Sequence, residues 1–203
     1  MATAMIVRHG GKRVRKQAQC GFSLLEVMIS MVILTVGLVS LLGVFGLAMA
    51  ATQTSQQDMI AKQLANEAYE SIVTARNTSQ IDWNQIQNMT GSCPISAGSP
   101  IFMSGLQPIY NPGNDGIFGT CDDVNAGEET LKEPGPDGIY GNTDDVQIPL
   151  TGYQRTILIT PVVDANGVVV ATLRGINITV QYSTTQTQIP KTYVLSTLLS
   201  QYQ

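Results

Sequence analysis

Three groups of residues in this 203-residue chain have types and spacings that could do chemistry. The first is Glu26, a single carboxylate inside an apolar run from Phe22 to Ala51, five residues after Gly21. An ionised carboxylate near a bilayer interior costs about 2.5–3.5 kcal/mol on insertion scales, so such a residue usually has a partner or a task. The plainer alternative is a position close to the membrane surface, from which the side chain reaches water. The second group is an internal repeat, PGNDGIFGTCDDV at 112–124 and PGPDGIYGNTDDV at 134–146, identical at nine of thirteen positions. Each copy offers one Asp in a Gly-rich turn, Asp115 or Asp137, and a carboxylate pair, Asp122–Asp123 or Asp144–Asp145. The third is a pair of cysteines, Cys93 and Cys121.

Calcium takes six to eight hard oxygens from carboxylates, carbonyls and water, and glycines let backbone carbonyls turn inward to supply some of them. Three acids so close in sequence repel one another unless a cation intervenes. The spacing does not fit the twelve-residue EF-hand loop, because the alternating acids and the closing bidentate Glu are missing. Asp-Gly also supplies tight-turn chemistry by itself, with the remaining acids solvated. Calcium, another cation and plain turns therefore all stay open for Asp115, Asp122, Asp123, Asp137, Asp144 and Asp145. For Cys93 and Cys121 an oxidising compartment favours a disulfide over two separate thiols.

The elements that carry these residues follow from charge and hydropathy. Residues 22–51 hold no charge besides Glu26, and a helix of that length, at about 1.5 Å per residue, exceeds the roughly 30 Å hydrocarbon core of a bilayer. Ahead of it Arg8, Lys12, Arg13, Arg15 and Lys16 form a basic segment without an acid. The positive-inside rule then expects residues 1–20 on the cytoplasmic side and the C-terminus outside. Beyond residue 21, six Lys/Arg face all fifteen acids, a formal charge of −9. That argues against nucleic acid as a partner, since such binding rests on cationic neutralisation of phosphates.

Gly21-Phe22-Ser23-Leu24-Leu25-Glu26, after a basic leader, resembles the processing site of type IV prepilins. The resemblance implies that a prepilin peptidase cuts between Gly21 and Phe22, that Phe22 becomes the methylated N-terminus, and that Glu26 is the acid at the fifth mature position. Glycine suits such a cut because it permits an extended backbone close to a protease wall. Cleavage frees an amine on Phe22, whose positive charge Glu26 of a neighbouring subunit could complement and so set register, with desolvation offsetting much of the net energy. A conventional signal peptide ending at Ala48-Met49-Ala50 would need an apolar region far longer than the usual 7–15 residues, with a glutamate inside it. A lipoprotein site at Cys20 fails because no apolar stretch precedes it.

Residues 24–77 are similar to minor pilins of the PilV, or type IV pilus modification, kind and to the minor pseudopilin I of type II secretion. They share the Leu-Leu-Glu-Val start, a glycine-studded second half and an amphipathic stretch ending in Ala-Arg-Asn. Where major pilins commonly carry a kinking proline, this chain has Gly37, Gly43 and Gly46. The resemblance implies insertion in the inner membrane as a single pass with a periplasmic C-terminal part, followed by entry into an extracellular pilus. The partners it implies are the major pilin, other minor pilins and the inner-membrane assembly platform.

The expected fold class is α+β, a long N-terminal helix packed on a C-terminal antiparallel sheet. Its parts are a cleaved leader (1–21), a membrane and assembly half-helix (22–51) and an amphipathic half-helix (52–77) with Ile60, Leu64, Ala68 and Ile72 in one stripe. A turn-rich connecting region (78–150) and a sheet (151–203) follow. Tyr153–Thr160, Val168–Ala171 continuing through Ile176–Tyr182, and Thr192–Leu199 read as strands, with an Asn166-Gly167 hairpin signal between the first two. No enzyme is expected. His9, the only histidine, lies in the leader, and Asp122–Asp123 are sequence neighbours that need not converge as a catalytic pair. A membrane-anchored, calcium-dependent binding module is the expectation from a different class, and it predicts no processing.

Overall fold

The computed structural model describes residues 21–91, 93, 98–184 and 187–202. The basic leader up to Cys20 lies outside the described residues. The chain divides into two units, Met1–Ala48 and Met49–Gln203.

Helix α1, Leu24–Asn77, contains no proline, and its Leu, Met, Ala, Gln and Glu are good helix formers. It starts where Ser23-Leu24-Leu25-Glu26 gives the S-x-x-E spacing of a capping box, with the Val27 N–H donating to Ser23 O at 3.2 Å. It stops at Asn77, two residues before Ser79 turns to a φ of 56°. In the first unit every described residue through Ala48 is exposed. The hydroxyls there are satisfied inside the helix: Ser30 donates to Glu26 O (2.7 Å), Thr35 to Val32 O (2.8 Å) and Ser40 to Val36 O (2.8 Å). An 18-residue stretch of α1 has a mean hydropathy of 2.5, and the helix is long and apolar enough to cross a membrane.

In the second unit the later part of α1 buries Ala61, Leu64, Ala65, Ala68, Ile72 and Ala75. Four alanines on one stripe let a sheet approach closely. That sheet runs in the order β1 (Gln107–Pro108), β4 (Tyr153–Val163), β5 (Val169–Thr184), β6 (Thr187–Ser200), every pair antiparallel. Ile157 opposes Ile178, and Ile159 opposes Ile176. Alternation sends Ile176, Ile178, Val180 and Tyr182 of β5 into the core. The β4–β5 hairpin turns at Asp164–Gly167, where Gly167 has a φ of 80°, and Pro161 marks a register shift in β4. Long helix and antiparallel sheet make the fold α+β, as expected from the sequence.

Residues 78–150 are more structured than their turn-rich composition suggests. Ile86, Phe102, Ile109, Ile117, Phe118 and Leu150 are part of the core. Trp83–Gln85 forms a 3₁₀ turn and Asp123–Ala126 a short helix, α2. Strands β2 (Thr130–Glu133) and β3 (Val146–Pro149) pair in a separate hairpin whose connecting loop is the second repeat. The hairpin escapes a periodicity search because each strand has four residues and β3 is exposed throughout.

Arg155 is the one charged residue on the inward face of β4, only 4% exposed. Its Nη1 donates to Leu64 O of α1 at 3.1 Å, and its guanidinium lies 4.6 Å from the centre of the Phe118 ring. Burial lowers its pKa, while Glu129, Asp123 and Glu67 oppose that shift. Glu129 is pushed up to about 7 by burial and by the like charge of Glu67, with Arg155 pulling the other way. Its folded pKa lies above its unfolded value, so the native state holds the extra proton. The stability this contributes is complete below about pH 4.5 and is lost as pH rises through about 7. A Glu129→Gln variant should therefore gain on the parent as pH rises. The difference in Tm, variant minus parent, is expected to grow from pH 5 to pH 8 in thermal unfolding followed by circular dichroism.

Candidate functional site

In the first unit Gly21, Phe22 and Ser23 precede the helix, so the Gly21–Phe22 bond lies in non-helical backbone. A protease needs an extended substrate strand, and here the helix begins three residues past the bond. Glu26 sits in the first turn of α1, where a carboxylate complements the unpaired N–H groups and positive end of the helix dipole. Phe22, Glu26, Ser30 and Leu34 lie along one side of the helix and line an open groove. Phe22 is 82% exposed. The arrangement sets an apolar ring and a carboxylate side by side on a helix face that no described residue of this chain covers.

In the second unit the two repeat copies share one backbone design. The Gly116 N–H donates to Gly113 O (3.2 Å), and the Gly138 N–H to Gly135 O (3.0 Å). Asp115 accepts from the Ile117 N–H (2.8 Å) and Asp137 from the Ile139 N–H (2.9 Å). Asp123 accepts from the Gly119 N–H (2.6 Å) and Asp145 from the Gly141 N–H (2.7 Å). Gly119 and Gly141, at φ of 87° and 91°, occupy a region that side chains disfavour. A Cβ at Gly113 or Gly135 would collide with the carboxylate of Asp122 or Asp144. Thus the repeated glycines and acids are the parts of one turn.

The first copy is also tied into the fold. Its Phe118 N–H donates to Ser71 Oγ of α1 at 3.3 Å, and Cys121 forms a disulfide with Cys93, Cα to Cα 5.8 Å. A cross-link closing 28 residues removes roughly 3–4 kcal/mol of unfolded-chain entropy in the loop-closure account. Carboxylate oxygens of Asp115, Asp122 and Asp123 lie within 4.8 Å of one another. Among the described residues Asp137, Asp144 and Asp145 do not gather as closely. Burial raises the pKa of Asp115, helped by the charge of Asp122, and burial also raises Asp123 against three backbone N–H donors. Burial alone would raise Asp122, but bonds from Thr120 Oγ1 and from backbone N–H groups together lower it.

Sequence reasoning did not find Arg155, although it occupies an inward position of the period-2 pattern through Ile157 and Ile159.

Residues 16–42 match the family described as the prokaryotic N-terminal methylation motif. No curated protein and no solved structure matches the chain. The motif supports a type IV pilin-like protein, and it implies processing by a prepilin peptidase and assembly into a pilus or pseudopilus. Together with the uncovered apolar helix it indicates anchoring in a membrane.

Asp123 is buried and receives the Gly113 (3.0 Å), Gly119 (2.6 Å) and Thr120 (3.2 Å) N–H groups. Removing it orphans those donors, each worth about 1–3 kcal/mol when left unpaired and buried. Asp123→Ala should cost about 3 kcal/mol in denaturant unfolding of the disulfide-intact protein. Asp145→Ala, in the more exposed copy, should cost under about 1 kcal/mol.

Proposed function

We propose that this chain is a minor type IV pilin, a structural subunit cut between Gly21 and Phe22 and drawn from the membrane into a fibre. The observation that carries this reading is the methylation motif at 16–42, set at the start of an apolar helix that the described chain leaves bare. The leader stays in the cytoplasm and the second unit faces the periplasm, the orientation favoured by the basic residues before Gly21. Phe22, methylated after the cut, carries the new positive charge.

Extraction from lipid gives Glu26 its task. In a bilayer an unpaired carboxylate is costly, and in the fibre the Phe22 amine of an adjacent subunit offers a counter-charge. A pair at about 4 Å gains on the order of 4 kcal/mol at an effective dielectric of 20, before desolvation. The apolar remainder of the helix packs against neighbouring helices, so burial drives assembly and Glu26 fixes its register. A major pilin, other minor pilins and the inner-membrane platform complete the system. The same chemistry fits a minor pseudopilin of type II secretion, and the gathered glycines of α1, without a proline, favour a minor subunit in either machine.

Glu26→Leu separates processing from assembly. The variant should be cleaved and methylated as the parent is, yet its amount in sheared fibres, measured by immunoblot, should fall at least tenfold, about 1.4 kcal/mol. Incorporation at the parental level would sink the role given to Glu26. Recovery of the parent in surface fibres selects the pilus, and recovery only in a periplasmic secretion complex selects the pseudopilus.

A second reading concerns the first repeat loop, where the closeness of three carboxylates favours a bound calcium ion. Carboxylate oxygens that already accept one N–H keep a further lone pair for a cation. If calcium binds, 5 mM CaCl2, on the order of the weak extracellular sites, should raise the Tm of the parent. EGTA should reverse the rise, and Asp115→Asn should abolish it. A Tm indifferent to calcium leaves the loop as a turn closed by its own N–H groups.

A further inference from the structure

The two repeat loops share a backbone but not an environment. Ile117 and Phe118 at the tip of the first are 1% and 5% exposed, whereas Ile139 and Tyr140 at the same places in the second are 62% and 66% exposed. The first loop shows how such a tip is seated: an apolar residue pair enters the fold and a guanidinium covers the aromatic ring, Arg155 lying 4.6 Å from the centre of Phe118. The second loop keeps the same tip and has no seat of its own among the described residues.

We propose that the second loop docks in trans, placing Tyr140 in the cleft beside Arg174 of another copy of this chain. That cleft, of about 530 Å³, lies between the 3₁₀ turn and strands β4 and β5, with Trp83, Gln87, Thr160, Val170, Leu173 and Arg174 on its walls. Its volume is within the range of roughly 300–1,000 Å³ found for pockets that enclose small-molecule ligands, so a tyrosine ring has room to enter. The walls mix apolar residues with the polar side chains of Asn84, Gln87, Asn88 and Thr160, and they share with the cis seat a guanidinium beside apolar side chains.

Charge selects this occupant over a neutral one. Among the described residues Arg174 is the single charged one lining the cleft. Its guanidinium lies 4.7 Å from the centre of the Trp83 ring and donates to Ile86 O at 2.6 Å. Burial lowers its pKa with no carboxylate to offset that. The loop brings Asp137, Asp144 and Asp145 and no base. An incoming tip therefore delivers acids to an unneutralised cation and a ring to a guanidinium, two attractions that strengthen as water leaves. Loop and cleft are different patches of one molecule, so the contact is heterologous, running head to tail between copies held in the membrane before they enter a fibre. It rests on the assembly reading for that setting.

The test replaces Tyr140 with the photo-crosslinking amino acid p-benzoylphenylalanine in the full-length chain. Normal and heavy-isotope copies, purified in detergent with the leader intact, are mixed and irradiated. The expected product joins a peptide from the 134–146 loop of one isotopic form to residues 83–88 or 169–174 of the other. Its yield should fall at least tenfold in Arg174→Glu and in Ala171→Glu, the second adding a negative charge at an exposed position of the cleft wall. Cross-links confined to one isotopic form, cross-links to α1 or to another protein, no cross-link, or a yield indifferent to both variants would overturn the proposal. Because the leader is uncut in this experiment, its failure leaves the processing and Glu26 tests standing.

Discussion

One helix has to be satisfied by two different surroundings. Residues 24–77 are continuous, yet the described residues from Leu24 to Ala48 are all exposed, while six residues of the later half are buried under the fold. Side chains such as Leu24, Met28, Leu34, Val39 and Leu47 are worth about 1.5–3 kcal/mol each when removed from water. Left bare in water they would outweigh the marginal stability of any domain of this size. The first half therefore requires lipid or other helices, and a subunit that exchanges one for the other satisfies it in both settings. The internal bonds of Ser30, Thr35 and Ser40 fit either surrounding, because they present no unpaired hydroxyl to it.

The second unit answers a different problem, how to fasten a sheet and irregular loops to a helix with a small-residue stripe. Arg155 does much of this from one position. It reaches the Leu64 carbonyl of the helix and the Phe118 ring of the first repeat loop, with Glu129 and Asp123 among the acids acting on it. A buried cation is expensive unless its hydrogen bonds and counter-charges are in place. The same cost enforces a unique arrangement, since shifting β4 by one residue would turn Arg155 outward and its apolar neighbours with it. The disulfide from Cys93 to Cys121 and the Ser71–Phe118 bond hold the loop against the same region.

Much of this was legible in the sequence, for physical reasons that differ by element. The helix is visible because fifty-four residues without proline pass from an apolar run to an amphipathic stripe, and strand β5 because Ile176, Ile178, Val180 and Tyr182 alternate strictly. The hairpin turn is visible because Asn-Gly has few other uses. Arg155 was hidden because a charge on a strand reads as solvent-facing unless the parity of its neighbours is followed. Strands β2 and β3 were hidden because short, exposed strands have no hydrophobic period to detect. The repeat was obvious as text, but only the structure separates a loop whose Ile117–Phe118 tip is buried from one whose Ile139–Tyr140 tip is bare. That difference depends on what each loop meets in space, which two nearly identical sequences cannot express.

The central claim is that a cut at the start of the apolar helix converts a membrane protein into a fibre subunit. Its most direct test is the intact mass and N-terminal sequence of the protein recovered from its native membrane, in cells with and without an active prepilin peptidase. The account predicts a peptidase-dependent chain that begins at N-methylated Phe22. A chain still beginning at Met1 or Ala2 in the presence of the enzyme, or one beginning after Ala50, would contradict it.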